Sequence, residues 1–312
     1  MKILALSGGT HNGTNDAMAR EALMGAAEQG AEVEYINLYD LNLKPCTGCI
    51  ACVGSLMGGG SGNCILKDDF DWLCGKLDEA DGILLVMPIF EKGAPAIFKI
   101  LQDRLFGPSH DIGTNTVAKM IAGKMGKPGP GPEKFPKKVV SLIGIGGSDW
   151  MTRFSSDLNI AVMVPMWKVI DDVVFSWSKS LIMEDDKVAR VHEIGVNLAK
   201  AAADFENAKY LGDPGVCPNC HSRNFFLHGD GVAECEVCGI KGKLSTEGGF
   251  KFDFDPEQME HAHNLVPGKI LHMKDIGENE GRLADQKKSE EYKVRQAKYK
   301  EFLTAAKPPK AE

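Results

Sequence analysis

The seven residues Gly82-Ile83-Leu84-Leu85-Val86-Met87-Pro88 form one continuous apolar run. A run without alternation has no solvent face, so it reads as a strand covered on both sides, as in a parallel sheet between helical layers. Four further strands are predicted at residues 2–6, 33–38, 138–144 and 167–175. Apolar residues at helical spacing predict helices from Asn15 to Gln29, Asp68 to Ala80, Ala94 to Leu105 and Glu184 to Tyr210. Repeated βα units of this kind describe a doubly wound α/β domain. The stretch from Gly107 to Pro136, rich in Gly and Pro, is predicted to be an inserted loop over an active site, since structureless loops this long are otherwise uncommon.

The pattern changes after Tyr210. Gly212-Asp213-Pro214-Gly215 reads as a hinge, a short cysteine-paired module runs to Phe254, and a polar tail follows, with a helix expected from Ser289 to Leu303. The expected domains are therefore 1–211, 212–254 and 255–312. A net charge of −7 argues against nucleic acid or anionic membrane as a partner. No apolar stretch approaches the ~20 residues of a membrane span. The N-terminal apolar run is shorter than a signal peptide requires, so a cytoplasmic protein is expected. In that compartment, nine cysteines point to metal or redox chemistry rather than to disulfides.

Eight of the nine fall into two groups. Cys217-Pro218-Asn219-Cys220 and Cys235-Glu236-Val237-Cys238 are two knuckles with fourteen residues between them. Four thiolates at that spacing form a tetrahedral site and a module that looks like a zinc ribbon; zinc is the default, and rubredoxin-like iron uses the same geometry. Cys46, Cys49 and Cys52 can wrap one face of a [4Fe–4S] cluster, with Cys64 the nearest fourth ligand across eleven residues. Reduced thiols around a loop, or a structural zinc, are the competing readings. Cys74 lies on an apolar helix face and reads as a small buried hydrophobe.

Three loops fall at strand ends, where open α/β sheets bind ligands. They are Ser7 to Asn15, Met87 to Pro95 and Gly144 to Ser148. Small residues ahead of a helix N-terminus suit a phosphate. The order of these loops, with Lys44-Pro45-Cys46, Cys49, Cys52 and then Cys64-Ile65-Leu66-Lys67-Asp68-Asp69, resembles the NADPH-dependent FMN reductase family over about residues 1 to 205, and within it the iron–sulfur flavoproteins. The resemblance implies a flavodoxin-like fold binding FMN. By position, Ser7, Gly9, Thr10, His11, Gly13, Thr14 and Asn15 would hold the phosphate. Pro88, Ile89, Phe90, Glu91, Lys92 and Gly93 would flank the isoalloxazine, with Gly146 and Gly147 on its other edge. The chain departs from the family pattern where Gly9 and Thr10 replace a serine and a proline, at Phe90 and Glu91, and in the longer gap before Cys64.

The expected activity is an FMN-dependent oxidoreductase. It would move electrons from NAD(P)H, a transient co-substrate, or from a ferredoxin-like one-electron donor to a small acceptor such as a quinone or an aromatic. The resemblance also implies a homo-oligomer, a dimer or tetramer. A flavodoxin-like electron carrier, and a redox-sensing scaffold acting through the ribbon, are the rivals. No catalytic side chain is legible.

Overall fold

Strands β1 (Lys2–Ser7), β2 (Glu32–Asn37), β3 (Gly82–Pro88), β4 (Val139–Ile145) and β5 (Lys168–Phe175) form one sheet in the order β2-β1-β3-β4-β5. Every pairing in it is parallel. This is the flavodoxin-like doubly wound order, with its switch point between β1 and β3. The computed structural model describes residues 1–302 except Phe106, Pro128 and Pro130.

Among the described residues, seven helices are interleaved with the sheet: α1 (Thr14–Glu28), α2 (Ala51–Met57), α3 (Phe70–Glu79), α4 (Ala96–Leu105), α5 (Ile112–Lys124), α6 (Phe154–Met163) and α7 (Asp185–Ala203). The apolar run of β3 serves both layers. Ile83, Leu85 and Met87 pack into the core under α3, α4 and α6, while Leu84 and Val86 pack into the core under α1 and α7. Gly195 lets α1 and α7 touch backbone to backbone, since a Cβ there would lie 1.7 Å from the Ala22 carbonyl oxygen.

The stretch from Gly107 to Pro136 is not a structureless loop. Asp111 starts α5 within it by accepting from the N–H groups of Gly113 at 3.1 Å and Thr114 at 3.0 Å. The helix carries two glycines and two threonines, residues of low helix propensity, and so hid from a periodicity reading. Helices α2 and α6 were likewise not anticipated.

The cysteine-paired module is a four-stranded sheet, β6 (Phe225–Leu227), β7 (Ala233–Cys235), β8 (Lys241–Ser245) and β9 (Lys251–Asp253), paired antiparallel in sequence order. Its small core of Cys217, Cys235, Cys238, Val237, Ile240 and Phe252 also takes in Ile160 and Met163 of α6. Two more helices follow, α8 (Val266–Lys288) and α9 (Glu290–Phe302). The expected tail helix corresponds to α9; Leu303 lies outside the described residues. By contacts the chain forms two units, Met1–Ile270 and Leu271–Glu312. The second is laced by surface pairs such as Lys293–Glu290 at 2.6 Å, the mark of a solvated helix. Among the described residues, no helix is long and apolar enough to cross a membrane.

Candidate flavin and metal sites

The loop after β1 is built on a buried carboxylate. Asp16, 1% exposed, accepts from Ser7 Oγ at 2.8 Å, from the Asn12 N–H at 2.9 Å, from Asn37 Nδ2 at 3.1 Å and from the Tyr35 hydroxyl. Burial alone would push this carboxyl up; the hydrogen bonds from Tyr35, Ser7 and Asn12 outweigh it and hold it below the ordinary range. Ser7 Oγ also accepts the Gly9 N–H at 3.2 Å, and Asn37 Nδ2 donates to the Gly9 carbonyl at 2.9 Å. Ser7 therefore faces inward and shapes the loop, while Thr10 and His11 lie on its exposed side. His11 pairs with Asp40 at 3.1 Å, and Thr14 Oγ1 donates to the Lys179 carbonyl at 2.7 Å.

Gly13 stands at the N-cap of α1 and offers no side-chain cap, so no N-cap side chain satisfies the first-turn N–H groups. A Cβ on Gly13 would lie 3.0 Å from both Thr10 O and Thr10 Oγ1. The Oδ1 end of Asn15 is buried without a partner. Uncapped N–H groups at a helix start fit the phosphate of FMN, whereas the orphaned Asn15 oxygen is an acceptor and suits a donor rather than the phosphate itself. Asp16, Tyr35 and Asn37 escaped the sequence reading. The parallel register sets Asn37 beside Ser7, a neighbourhood visible only once the topology is known.

The second and third loops face each other across a cleft of about 230 Å³ lined by Ile89, Phe90, Glu91, Gly146, Gly147, Ser148 and Trp150. Phe90 and Gly93 exchange two backbone hydrogen bonds, at 3.0 and 2.9 Å, so that Glu91 and Lys92 form the tip of a tight hairpin. Both tip residues have positive φ, 46° and 71°, where Asn-Gly or Gly-Gly would be relaxed. The surroundings hold this strain in place: the Arg153 N–H donates to the Lys92 carbonyl at 2.9 Å, and Lys92 Nζ sits 5.1 Å over the Trp150 ring. Lys92 and Gly93 thus build the turn, Pro88 ends β3 ahead of it, and Ile89, Phe90 and Glu91 wall the cleft. Phe90 and Trp150 stand 57% and 60% exposed at its edge. Ser148 ends the predicted glycine loop without having been named a site residue, and Trp150, two residues on, was not among the predicted site residues.

The first cysteine group is open. Cys46 and Cys49 are exposed, and Cys52 and Cys64 are half-buried. Cys46, Cys52 and Cys64 line one cavity of about 370 Å³ together with Cys74 and Arg104. The gap before Cys64 is not a floppy insert: α2 runs through it as far as Met57, and Gly60 caps that helix by donating to the Ser55 carbonyl at 2.8 Å. The Gly48 N–H points at Cys46 Sγ at 3.5 Å, the kind of contact that steadies a cluster thiolate. Hydrogen bonding to the Ala51 N–H and to Thr47 lowers the Cys49 thiol below its usual range. Cys46, Cys52 and Cys64 around one cavity leave room for a group larger than a single ion, and Cys49 lies outside that lining. Cys74 is different: burial, with Asp78 and Asp71 nearby, pushes its thiol far up, so it stays protonated and inert. The stretch predicted to cover the active site borders this cavity, through Pro108, Lys134 and Phe135, and not the flavin cleft.

The second group is closed. The sulfurs of Cys217, Cys220, Cys235 and Cys238 all lie within 4.8 Å of one another, a ready site for one metal ion. The two knuckles repeat one turn. The His221 N–H donates to the Cys217 carbonyl at 2.8 Å, and the Gly239 N–H to the Cys235 carbonyl at 2.9 Å. Both donors have positive φ, 61° and 77°. His221 thus occupies a position that favours glycine, and its ring stacks on Tyr210 at 3.8 Å.

The sequence pattern of the family described as NADPH-dependent FMN reductase matches residues 1–181. The chain is 28% identical to a flavone synthase of Aspergillus candidus over 88% of both chains. An iron–sulfur flavoprotein of Methanocaldococcus jannaschii is 40% identical over 33% of this chain and 51% of that protein. A solved structure titled flavone reductase is 47% identical, covers 99% of this chain and 100% of its own, and superposes with a TM-score of 0.88. With the parallel sheet order, the uncapped β1 loop and the cleft between β3 and β4, this match shows that the chain is an FMN-dependent oxidoreductase belonging to the NADPH-dependent FMN reductase family.

Proposed function

We propose that the protein reduces planar aromatic acceptors of the flavone class, drawing electrons from NAD(P)H or a ferredoxin-like donor in a cytoplasmic setting. The observation that carries this reading is the cleft between the β3 and β4 loops, edged by the exposed rings of Phe90 and Trp150. Exposed aromatic rings at a cleft mouth offer a flat, weakly polar surface on which a planar ligand stacks. The names of two relatives, a flavone synthase and a flavone reductase, supply the chemical class. A cleft of this kind also weighs against a pure electron carrier.

FMN, when bound, supplies hydride and single-electron transfer. Thr10, His11, Gly13, Thr14 and Asn15 would hold its phosphate, with Ser7 fixing Gly9 from beneath. Ile89, Phe90, Glu91, Gly146 and Gly147 would wall the ring, with Lys92 and Gly93 shaping the hairpin and Pro88 ahead of it. Cys46, Cys49, Cys52 and Cys64 would hold a [4Fe–4S] cluster, a reading supported by the cavity that Cys46, Cys52 and Cys64 share and by the archaeal relative's name. Cys217, Cys220, Cys235 and Cys238 would hold zinc, iron being the alternative for the same four sulfurs. Residues 1–211 would form the flavin domain, 212–254 the metal module and 255–312 the tail. The cysteine cavity and the flavin cleft share no lining residue. A homo-oligomer, dimer or tetramer, would let the cavity of one protomer approach the cleft of another.

The test is anaerobic turnover of flavone, followed by loss of its conjugated absorbance against NADPH consumed. We expect stoichiometric reduction, and a KM raised about tenfold in Trp150→Ala, the scale of one lost ring contact. Reduction of a simple quinone but not of flavone, with NADPH and with reduced ferredoxin alike, would overturn the flavone assignment.

A further inference from the structure

We propose that Arg104 and Asp68 form a latch that closes the loop carrying Cys46, Cys49, Cys52 and Cys64, making Arg104 a positioning residue for the thiols. The inference deepens the reading of this group as a cluster site and rests on it in that respect.

The guanidinium grips the carboxylate with two contacts, Nη1 to Oδ2 at 2.7 Å and Nη2 to Oδ1 at 3.2 Å, and the two side chains are only 2% and 1% exposed. The same two side chains reach the other end of the loop. Arg104 Nη1 donates to the Lys44 carbonyl at 2.8 Å, and the Lys44 N–H donates to Asp68 Oδ2 at 2.8 Å. The strap continues outward. The Asn42 N–H donates to Asp69 Oδ2 at 2.7 Å, the Asp69 N–H to the Asn42 carbonyl at 3.1 Å, and Lys44 Nζ to the Lys67 carbonyl at 2.9 Å. Residues 42–44 and 67–69 are thereby bound side by side, and all four cysteines lie in the chain between them.

Holding two ends that many residues apart costs loop-closure entropy, which the fixed fork offsets. A buried ion pair adds little net stability over an apolar pair of the same size, so its presence here points to positioning. Arg104 also faces the thiols. It lines the cavity with Cys46, Cys52 and Cys64, the Cys64 sulfur is within its reach, and its Nε is buried with no partner. The guanidinium lies 4.2 Å over the Phe70 ring, which fixes its plane. Arg104→Lys keeps the charge and loses the fork, so it separates geometry from electrostatics.

The experiment uses the full chain, anaerobically. Iron and sulfide per chain are measured after reconstitution, together with iodoacetamide labelling rates of the four thiols in the iron-free protein, mapped by peptide. Bound FMN and the metal of the C-terminal site serve as folding controls. Arg104→Gln and Arg104→Lys are expected to label Cys52 and Cys64 about tenfold faster, the effect of losing one charge-assisted hydrogen bond, and to lose most iron with both controls intact. If Arg104→Gln loses the controls as well, the paired Arg104→Met, Asp68→Leu variant, which leaves no lone buried charge, is read in its place with the same expectation. Labelling rates equal to wild type in a folded variant would overturn the latch. Absence of iron from the wild type would remove the cluster reading, and the labelling comparison would still decide the latch.

Discussion

The two cysteine groups use the same C-x2-C spacing and end as opposites. In the C-terminal group each pair sits in a knuckle whose fifth residue, His221 or Gly239, turns the chain back through positive φ and aims both sulfurs at one point. The four sulfurs converge within 4.8 Å inside a core of their own. In the N-terminal group the chain does not return. After Cys49 it enters α2, which carries Cys52, and Cys46, Cys52 and Cys64 border a cavity of about 370 Å³ instead of a point. Spacing therefore brings cysteines near one another, while the backbone after the second cysteine decides whether they close on an ion or stay around a space. A closed site serves as a staple for a module too small to fold on its apolar core alone. An open one is held from outside and leaves room for a bound group.

The largest expected effect comes from breaking the closed group. Cys235→Ser should abolish metal binding at the C-terminal site and unfold β6–β9, a loss on the order of several kcal/mol for that module. Metal analysis and hydrogen exchange over residues 217–254 check this; retained protection without metal would show that the sulfurs are ornamental to the fold. Next is Gly13→Leu, which probes a third kind of site, built from backbone donors. Its Cβ crowds Thr10 O and Thr10 Oγ1 at 3.0 Å, so FMN affinity should fall about 100-fold, roughly 2.7 kcal/mol, with little change in melting temperature. Equal FMN binding by titration would move the phosphate elsewhere. Smaller still is Cys49→Ser. The side chain is exposed, so stability should change by less than about 0.5 kcal/mol while iron uptake on reconstitution is lost. If the variant is as destabilised as Cys235→Ser, the open group is structural and the contrast between the groups fails.

What the sequence made legible divides along the same line. The apolar run of β3, the strand-end glycines and the paired knuckles are local patterns, and each lies where its pattern implies. Asp16, Asn37 and Tyr35 act through contacts across strands, and Arg104 meets Asp68 across 36 residues, so no window along the chain contains them together. Helix α5 was missed for another reason: its glycines and threonines argue against a helix, and packing with its Asp111 cap overrides them. Trp150 was passed over because an exposed tryptophan in a loop has no periodicity to flag it.

The two groups also separate by pH, because each is seated on a carboxyl group perturbed in the opposite sense. Under the closed module, Asp172 accepts from Asn159 Nδ2 at 2.7 Å and Ser155 Oγ at 3.0 Å at the floor of a cavity that His221 and Arg223 help to line. Burial dominates there and, with Asp171 adding to it against Asn159, Ser155 and Arg223, pushes Asp172 up to about 6. Its folded state binds a proton more tightly than the unfolded chain, so stability rises as pH falls from about 7 to 4, by on the order of 2 kcal/mol once cavity water is allowed for. Under the open group, burial would raise Asp68, but the hydrogen bonds from Arg104, the Lys44 N–H and the Phe70 N–H overcome it and hold the carboxyl below its usual range. Its contribution is present above the unfolded pKa and drains away below about pH 4. Acid should therefore first tighten the seat of the closed module and only later release the latch of the open one. Hydrogen exchange between pH 7 and 3.5 would read both at once, through residues 155–172, which hold Asp172 and carry none of the thiolate ligands, and 44–68. Asp172→Asn should flatten the first response and leave the second, and a single transition common to both segments would show that the two groups are seated together.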